Sequence, residues 1–336
     1  MDENLKKHPK VSILVPIYGT EKYIEKCARS LFEQTYDNIE YIFVNDCTKD
    51  ASVEILKKTI EDYPQRKSQV TIISHNTNKG LAASRLTAFE HSTGAYLWCV
   101  DSDDYADVQA VSIIVPYMER GYDFISFNYY TNNGNDIQKF NSKPLPVNNL
   151  LTNEIPPSIW KCIARKELYT QNNILPVVGI NSSEDYLLTA RLLLVSKRPI
   201  LLENNYLYYY NISNLDSYMN NVNVRSYENS ADSAIIIFEY YRRLNVVEKF
   251  HNGLSCRLAM CYLRLKKVDS SNFRCQQLLN LIKEADRVVY FLTKLPLSVS
   301  KSLYIVRTYR RFILKVNNDT VSYTHLRAHE TRRHLV

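Results

Sequence analysis

The chain lacks any apolar run near the roughly 20 residues that a membrane-spanning helix needs. Its opening, Met1-Asp2-Glu3-Asn4-Leu5-Lys6, lacks the apolar centre of a secretory signal, so a cytoplasmic protein is expected. Glycine is scarce, 7 in 336 residues, beside 11 prolines, which excludes collagen-like and linker-dominated sequence. The cysteines Cys27, Cys47, Cys99, Cys162, Cys256, Cys261 and Cys275 are odd in number, scattered and without a C-x-x-C pair. Neither a disulfide framework nor a zinc cluster is expected from them. Each reads as a small apolar residue in a reducing compartment, with a loop-filling role for Cys47 set against a redox one. No G-x-G-x-x-G follows the first strand-like run and no G-x-x-x-x-G-K-[ST] occurs, so neither dinucleotide nor P-loop chemistry is supported.

What remains is an ordinary globular composition, 45% hydrophobic and 23% charged, in a chain long enough for one large domain and a second packing unit. Charge is unevenly placed. Residues 1–224 hold 22 Lys and Arg against 26 Asp and Glu, whereas residues 225–336 hold 20 against 9. The basic part is suited to something anionic, for which nucleic acid and anionic lipid are the usual candidates.

The first hundred residues alternate strand and helix. Val11-Ser12-Ile13-Leu14-Val15 is a β-branched apolar run stopped by Pro16, and Ile24, Cys27, Ala28, Leu31 and Phe32 then share one helical face. Ile39–Val44 gives a second strand, and Asp50 can cap a helix with Val53, Leu56 and Ile60 on its apolar side. Val70–Ser74 is a third strand, followed by a helix after Asn78-Lys79-Gly80. Tyr96–Val100 is a fourth. The pattern predicts an α/β fold, a mostly parallel sheet with helices on both faces.

Ligands of such sheets bind at the carboxyl ends of the strands. Here those ends are Pro16-Ile17-Tyr18-Gly19, Asn45-Asp46-Cys47 and Asp101-Ser102-Asp103-Asp104, so acids and an aromatic converge on one rim. Clustered carboxylates repel one another unless a cation or proton neutralises them. Asp101 and Asp103 point the same way in extended chain, and two hard oxygen ligands completed by water and phosphate suit Mg²⁺ or Mn²⁺. The competing reading is a solvated turn capping a helix from Asp107.

Four blocks carry a family resemblance: Val15-Pro16-Ile17-Tyr18-Gly19-Thr20-Glu21, Val44-Asn45-Asp46-Cys47-Thr48-Lys49-Asp50, Asn78-Lys79-Gly80 with Ser84-Arg85, and Asp101–Asp104. In order and spacing the chain resembles family 2 glycosyltransferases of the GT-A fold, over residues 10–215. The resemblance implies a nucleotide-sugar donor, usually UDP-linked, bound by Pro16, Tyr18, Glu21, Asp46, Arg85, Asp101 and Ser102. Tyr18 and Asp46 would hold the base, and Asp101 would lie near ribose and diphosphate. Mn²⁺ or Mg²⁺ is implied on Asp103, shared with Asp101. Arg85 is either a diphosphate contact or an exposed helical arginine. Asn45-Asp46-Cys47-Thr48 departs from the family's common Asp-Asp-Gly-Ser, and Gly19 from its common Asn.

Asn181-Ser182-Ser183-Glu184-Asp185 opens a helix with serine caps and early acids, sound helix chemistry by itself. The family places a Glu-Asp pair here with the Asp as catalytic base, and Asp185 matches it. One carboxylate suits direct displacement with inversion at the anomeric carbon. The expected function is an inverting, metal-dependent hexosyl- or N-acetylhexosaminyl-transferase acting on a glycan or lipid-linked acceptor of surface polysaccharide. A sugar nucleotidyltransferase is the alternative enzyme, although that class opens with a Gly-rich basic loop, unlike Pro16-Ile17-Tyr18-Gly19. A non-catalytic glycan- or membrane-binding scaffold is the third reading, opposed by Asp46, Asp101, Asp103 and Asp185 together.

Trp160 and Tyr206-Leu207-Tyr208-Tyr209-Tyr210 are either acceptor-side aromatics or packing, and Thr131–Pro157 is expected to be loop. The glycosyltransferase domain is placed at 1–215, with a nucleotide-binding half at 1–110 and an acceptor half at 111–215. A helical region follows at 216–318, with breaks near Asn252-Gly253, Asp269-Ser270-Ser271 and Pro296. Between Leu297 and Val316 it carries five basic residues and no acid. Val299, Leu303, Val306, Tyr309 and Ile313 share one arc of this helix. It either lies on an anionic membrane or packs on the protein with a solvated basic face. A peripheral place on the cell membrane's inner face is thus open, and no nucleic-acid partner is expected. Ser322–Thr331 resembles translated adapter sequence, so 319–336 reads as a non-native tail, and whether the native C-terminus is missing stays open.

Overall fold

A computed structural model of the protein describes residues 8–142, 145, 147–151, 157–214, 223–298, 300–302, 304–306 and 308–309. The tail at 319–336 lies outside them, as do Arg307, Arg310, Arg311 and Lys315 of the expected basic helix. The chain divides into two compact units, one ending at Tyr240 and one beginning at Tyr241.

The first unit opens with β1 (Val11–Ile17), α1 (Ile24–Phe32), β2 (Ile39–Asn45), α2 (Ser52–Glu61), β3 (Val70–Ser74), α3 (Leu81–His91) and β4 (Tyr96–Cys99). It continues through β5 (Tyr105–Ala106), α4 (Ala110–Glu119), β6 (Phe124–Asn132), β7 (Ile137–Phe140), α5 (Val147–Leu151) and β8 (Cys162–Arg165). Then come α6 (Lys166–Gln171), α7 (Glu184–Val195), β9 (Pro199–Asn211) and α8 (Val224–Arg243), whose last three residues fall in the second unit. The strands form one sheet in the order β3-β2-β1-β4-β8-β6-β9-β5, with β7 paired to β6. The four strands β3, β2, β1 and β4 run parallel, β8 enters antiparallel between β4 and β6, and β6 and β9 are parallel.

Strand alternation explains the layering. Val11, Ile13, Val15 and Ile17 point into a core shared with Ile24, Cys27 and Leu31 of α1, Leu56 of α2 and Val111 and Ile114 of α4. The opposite face of β1 and β2 receives α3. β1 runs past Val15 to Ile17, because Pro16 lies beyond the β4 pairing, which ends at Leu14. The stretch expected to be loop contains a hairpin. The Asn132 Oδ1 accepts from Gly134 N–H at 2.9 Å, and the Asn133 Oδ1 accepts from Asn135 and Asp136 N–H at 3.0 and 2.7 Å. All four residues of β7 are exposed, so no burial alternation betrays this strand.

The second unit holds α9 (Val247–Val268), α10 (Phe273–Ala285) and α11 (Arg287–Lys294). The expected break at Asn252-Gly253 is absent, since α9 runs through it. A helical glycine costs only ~1 kcal/mol, which the continuous buried stretch from Gly253 to Leu263 offsets. The break falls instead at Asn245, whose φ is +57°. Asn272 and Asp286 cap α10 and α11, and Leu258, Leu278, Ile282 and Val289 fill the core between these helices. Val306 is fully buried, so this residue of the expected membrane-facing arc is packed on protein. Among the described residues no helix is long and apolar enough to cross a membrane. All seven cysteines are unpaired, and Cys47 occupies a left-handed loop position.

Candidate active site

The rim begins where β1 ends. Tyr18 is 56% exposed, with a ring available to stack on a ligand, whereas Pro16 is buried within the strand. Gly19 N–H donates to Thr48 Oγ1 at 2.9 Å, and Glu21 N–H donates to Asp50 Oδ2 at 2.8 Å. In return, Ala51 N–H donates to Glu21 Oε2 at 3.0 Å. Glu21 and Asp50 thus stitch the β1–α1 loop to the start of α2. Burial alone would raise the Asp50 carboxyl, but hydrogen bonds from Ser52, Thr48 and the Glu21 backbone hold it below its ordinary value.

Asp46, at the end of β2, is 3% exposed, and both its oxygens are engaged. Oδ1 meets His75 Nδ1 and Lys79 N–H, each at 2.8 Å, and Oδ2 accepts from Gly80 N–H at 2.7 Å. The other ring nitrogen of His75 meets Thr87 Oγ1 at 2.9 Å. Asp46 therefore shapes the Lys79-Gly80 turn that starts α3. His75 carried no motif in the sequence. Its place at the carboxyl end of β3, beside the other strand ends, was the available signal.

α3 carries Arg85 into the centre of the site. This guanidinium is 2% exposed, so the solvated-arginine alternative falls away. Nη2 donates to Asp101 Oδ1 at 2.8 Å, and Nη1 donates to Glu184 Oε1 at 2.9 Å and to Asp185 Oδ1 at 2.5 Å. Burial would lower the Arg85 pKa, but the charges of Asp185, Asp101 and Glu184 outweigh it and raise it well above the ordinary value. Burial, then Asp185, pushes Glu184 up to about 8 against the opposing pull of Arg85. The Asp185 side chain stays 21% exposed.

The acidic turn after β4 is organised by the end of β9. Asp104, 1% exposed, accepts from Tyr208 Oη at 2.7 Å and Asn211 N–H at 2.7 Å. Tyr208 Oη also accepts from Asp101 N–H at 3.1 Å, and Asn214 Nδ2 donates to Asp103 Oδ2 at 2.8 Å. Ser102 is buried in this turn. Burial raises Asp101 to about 6 and also raises Asp103, with the neighbouring acids adding to the effect at Asp101. A divalent cation would relieve the repulsion that Arg85 leaves uncompensated. Among the described residues no cluster of three or more His, Cys, Asp or Glu could hold a metal ion by itself. The candidate donors are Asp101 and Asp103, a pair that would fit a hard divalent ion only with oxygens from water and a diphosphate completing its shell.

Trp160 is 4% exposed, stacked on Tyr208 at 4.6 Å and on Tyr210 at 5.1 Å. Packing is therefore the role of Trp160, and Tyr208 joins that stack while its hydroxyl holds the acidic turn. Beside Trp160 lies a residue the motifs did not flag. Lys161 is 4% exposed, its Nζ has no hydrogen-bond partner among the described residues, and burial lowers it to about 8 against the charges of Cys162 and Asp185.

Known proteins resemble the chain in sequence and in fold. Residues 12–172 match the model of glycosyl transferase family 2. The chain is 32% identical over 191 residues to an uncharacterized glycosyltransferase, EpsJ, of Bacillus subtilis, covering 53% of this chain and 54% of the relative. It is 29% identical over 211 residues to the poly(ribitol-phosphate) beta-glucosyltransferase of Bacillus spizizenii, covering 60% of this chain and 32% of that one. The chain thus spans about half the length of the first relative and a third of the second. In fold it is similar to residues 1–349 of S. aureus TarS, solved with UDP-GlcNAc, at a TM-score of 0.61 and 19% identity over 90% of this chain and 92% of that one. Residues 12–172 thus resemble a glycosyl transferase family 2 domain, carried on a sheet whose fold is similar to that of TarS.

Proposed function

We propose that the protein is an inverting, metal-dependent glycosyltransferase that moves a hexosyl or N-acetylhexosaminyl group from a UDP-sugar to a glycan, polyol-phosphate or lipid-linked acceptor of surface polysaccharide. The observation that carries the reading is the Arg85 junction. One buried guanidinium ties the strand-end acid Asp101 to Glu184 and Asp185 of α7, so the donor rim and the candidate base form a single unit.

Within that unit the two acids of α7 have different environments, as acid–base pairs in catalytic sites do. Glu184, buried and raised to about 8, is held mostly protonated near neutral pH. Asp185 gives one oxygen to Arg85 and retains exposure, so its second oxygen can take the proton of an acceptor hydroxyl. Arg85 orients that carboxylate. Tyr18 offers an exposed ring to the base, while Asp46 and Glu21 act by holding the loops around it and Pro16 lies buried in β1. Asp103 and Asp101 would hold Mn²⁺ or Mg²⁺, which supplies charge stabilisation to a departing diphosphate. The names of two relatives, one a poly(ribitol-phosphate) beta-glucosyltransferase and one solved with UDP-GlcNAc, support the choice of donor and acceptor classes.

The test is a panel of UDP-sugars, beginning with UDP-N-acetylglucosamine and UDP-glucose, incubated with Mn²⁺ and scored for released UDP. Release that needs both metal and Asp185 supports the reading. Formation of a sugar nucleotide from a sugar phosphate and UTP would replace it with nucleotidyl transfer. We further place the protein at an anionic membrane surface. Phe291 and Tyr304 are 66% and 71% exposed, with Leu295 and Leu297 also exposed beside Lys294 and Lys301. Equal sedimentation with neutral and anionic vesicles would refute that placement.

A further inference from the structure

The loop from Gly179 to Ser183 leads directly into Glu184 and Asp185, and α8 holds it. Asn229 is 1% exposed. Its Oδ1 accepts from the N–H of Asn181 at 2.9 Å and of Ser182 at 3.3 Å, and its Nδ2 donates to the Gly179 carbonyl at 3.2 Å. On the same face of α8, Ser230 Oγ meets Ser183 Oγ at 2.8 Å and Ser233 Oγ donates to the Ser183 carbonyl at 3.3 Å. Ser183 has φ +66°, a left-handed conformation costing ~1–2 kcal/mol outside glycine, which these contacts offset.

The same loop also reaches α3. Asn181 Oδ1 accepts from Ala82 N–H at 3.0 Å, in the first turn of the helix that carries Arg85. Gly80 lies so close beneath Asn181 that a Cβ there would fall 2.3 Å from its Nδ2. One loop therefore registers both helices whose side chains meet as Arg85 and Asp185, and one asparagine registers the loop.

We propose that Asn229 is a positioning residue for group transfer: through it α8 sets the distance between Arg85 and Asp185. The inference rests on Asp185 being the base. An amide suits the task because the loop offers two N–H donors and one carbonyl to the same side chain. Asn229→Ala deletes all three bonds, whereas Asn229→Asp keeps the acceptor and loses the donor. A misplacement of about 1 Å at a reacting group can cost ~10²-fold in rate.

The experiment measures UDP release from UDP-N-acetylglucosamine or UDP-glucose, whichever turns over, together with UDP binding by calorimetry and melting temperature. Asn229→Ala should lower kcat by ~10- to 100-fold while UDP affinity stays within about twofold. Asn229→Asp should fall between it and wild type. In the Asp185→Asn background the same change should cost nothing further, because the group being positioned is gone. Leu278→Ala, a cavity in the second unit, controls for stability loss and should keep wild-type kcat. Wild-type kcat in Asn229→Ala, or a full multiplicative loss on top of Asp185→Asn, would overturn the inference. If Asn229→Ala does not fold, the Ser230→Ala, Ser233→Ala pair must lower kcat, and unchanged turnover there overturns it equally. Normal turnover by Asp185→Asn alone would remove the base assignment instead, which is a separate failure.

Discussion

Arg85 on α3 and Asp185 on α7 are 100 residues apart in sequence and meet at 2.5 Å between Nη1 and Oδ1. Asp101 and Glu184 share the same guanidinium, at 2.8 and 2.9 Å. Three acids therefore depend on one cation that is itself out of water, and removing any member changes the charge balance of the others.

Glu184 gives this balance a pH signature. Its folded value of about 8 stands above the ordinary carboxylate value near ~4.3 because burial and Asp185 disfavour its charge more than Arg85 favours it. A raised acid binds more protons in the folded state than in the unfolded one. Its cost to stability is thus absent below the unfolded value and grows until pH passes the folded one. Glu184→Gln keeps an acceptor for Arg85 without the charge. Its melting temperature relative to wild type should rise between pH 5 and pH 8, the window that these values define. A difference that does not vary with pH would contradict the assignment.

The acidic turn should reveal itself through the metal. Asp103→Ala removes one of two candidate ligands while leaving Asp104, whose bonds to Tyr208 and Asn211 hold the turn. Calorimetry with UDP and Mn²⁺ should show at least a ~10-fold loss of affinity, equivalent to ~1.4 kcal/mol, with the fold intact. UDP binding by wild type that ignores EDTA would show that no metal is shared.

Much of the first hundred residues was legible because continuous β-branched strands and one-faced helices announce a parallel sheet. The acids at the ends of β2 and β4 followed from that. What escaped was long-range. Nothing local tells Arg85 that Asp185 is its partner, and nothing around His75 or Asn229 distinguishes them from ordinary polar residues. The antiparallel half was also hidden, since exposed Ile137–Phe140 shows no alternation and Cys162–Arg165 is only four residues long. The helix break at Asn252-Gly253 was misplaced because glycine in a well-packed helix is a small penalty. The left-handed Asn245 decides where the chain turns.

Gly80 offers a geometric test of the loop network. Its φ of +89° and the 2.3 Å approach to Asn181 leave no room for a side chain. Gly80→Ala should lose at least ~1–2 kcal/mol by urea unfolding, from backbone strain alone. Asn181→Ala should return part of that loss, because it vacates the space. If Asn181→Ala returned none of that loss, the loop would be free to move away from α3.

The most direct measurement is the turnover of Asp185→Asn with the donor that the wild-type protein uses. The substitution keeps the shape of the side chain and its ability to accept from Arg85 while removing basicity. UDP release should fall by ~10²–10⁴-fold, with UDP affinity in Mn²⁺ and melting temperature near those of wild type. A variant that turns over at the wild-type rate would show that Asp185 only completes the buried ion cluster and that the acceptor proton leaves by another route.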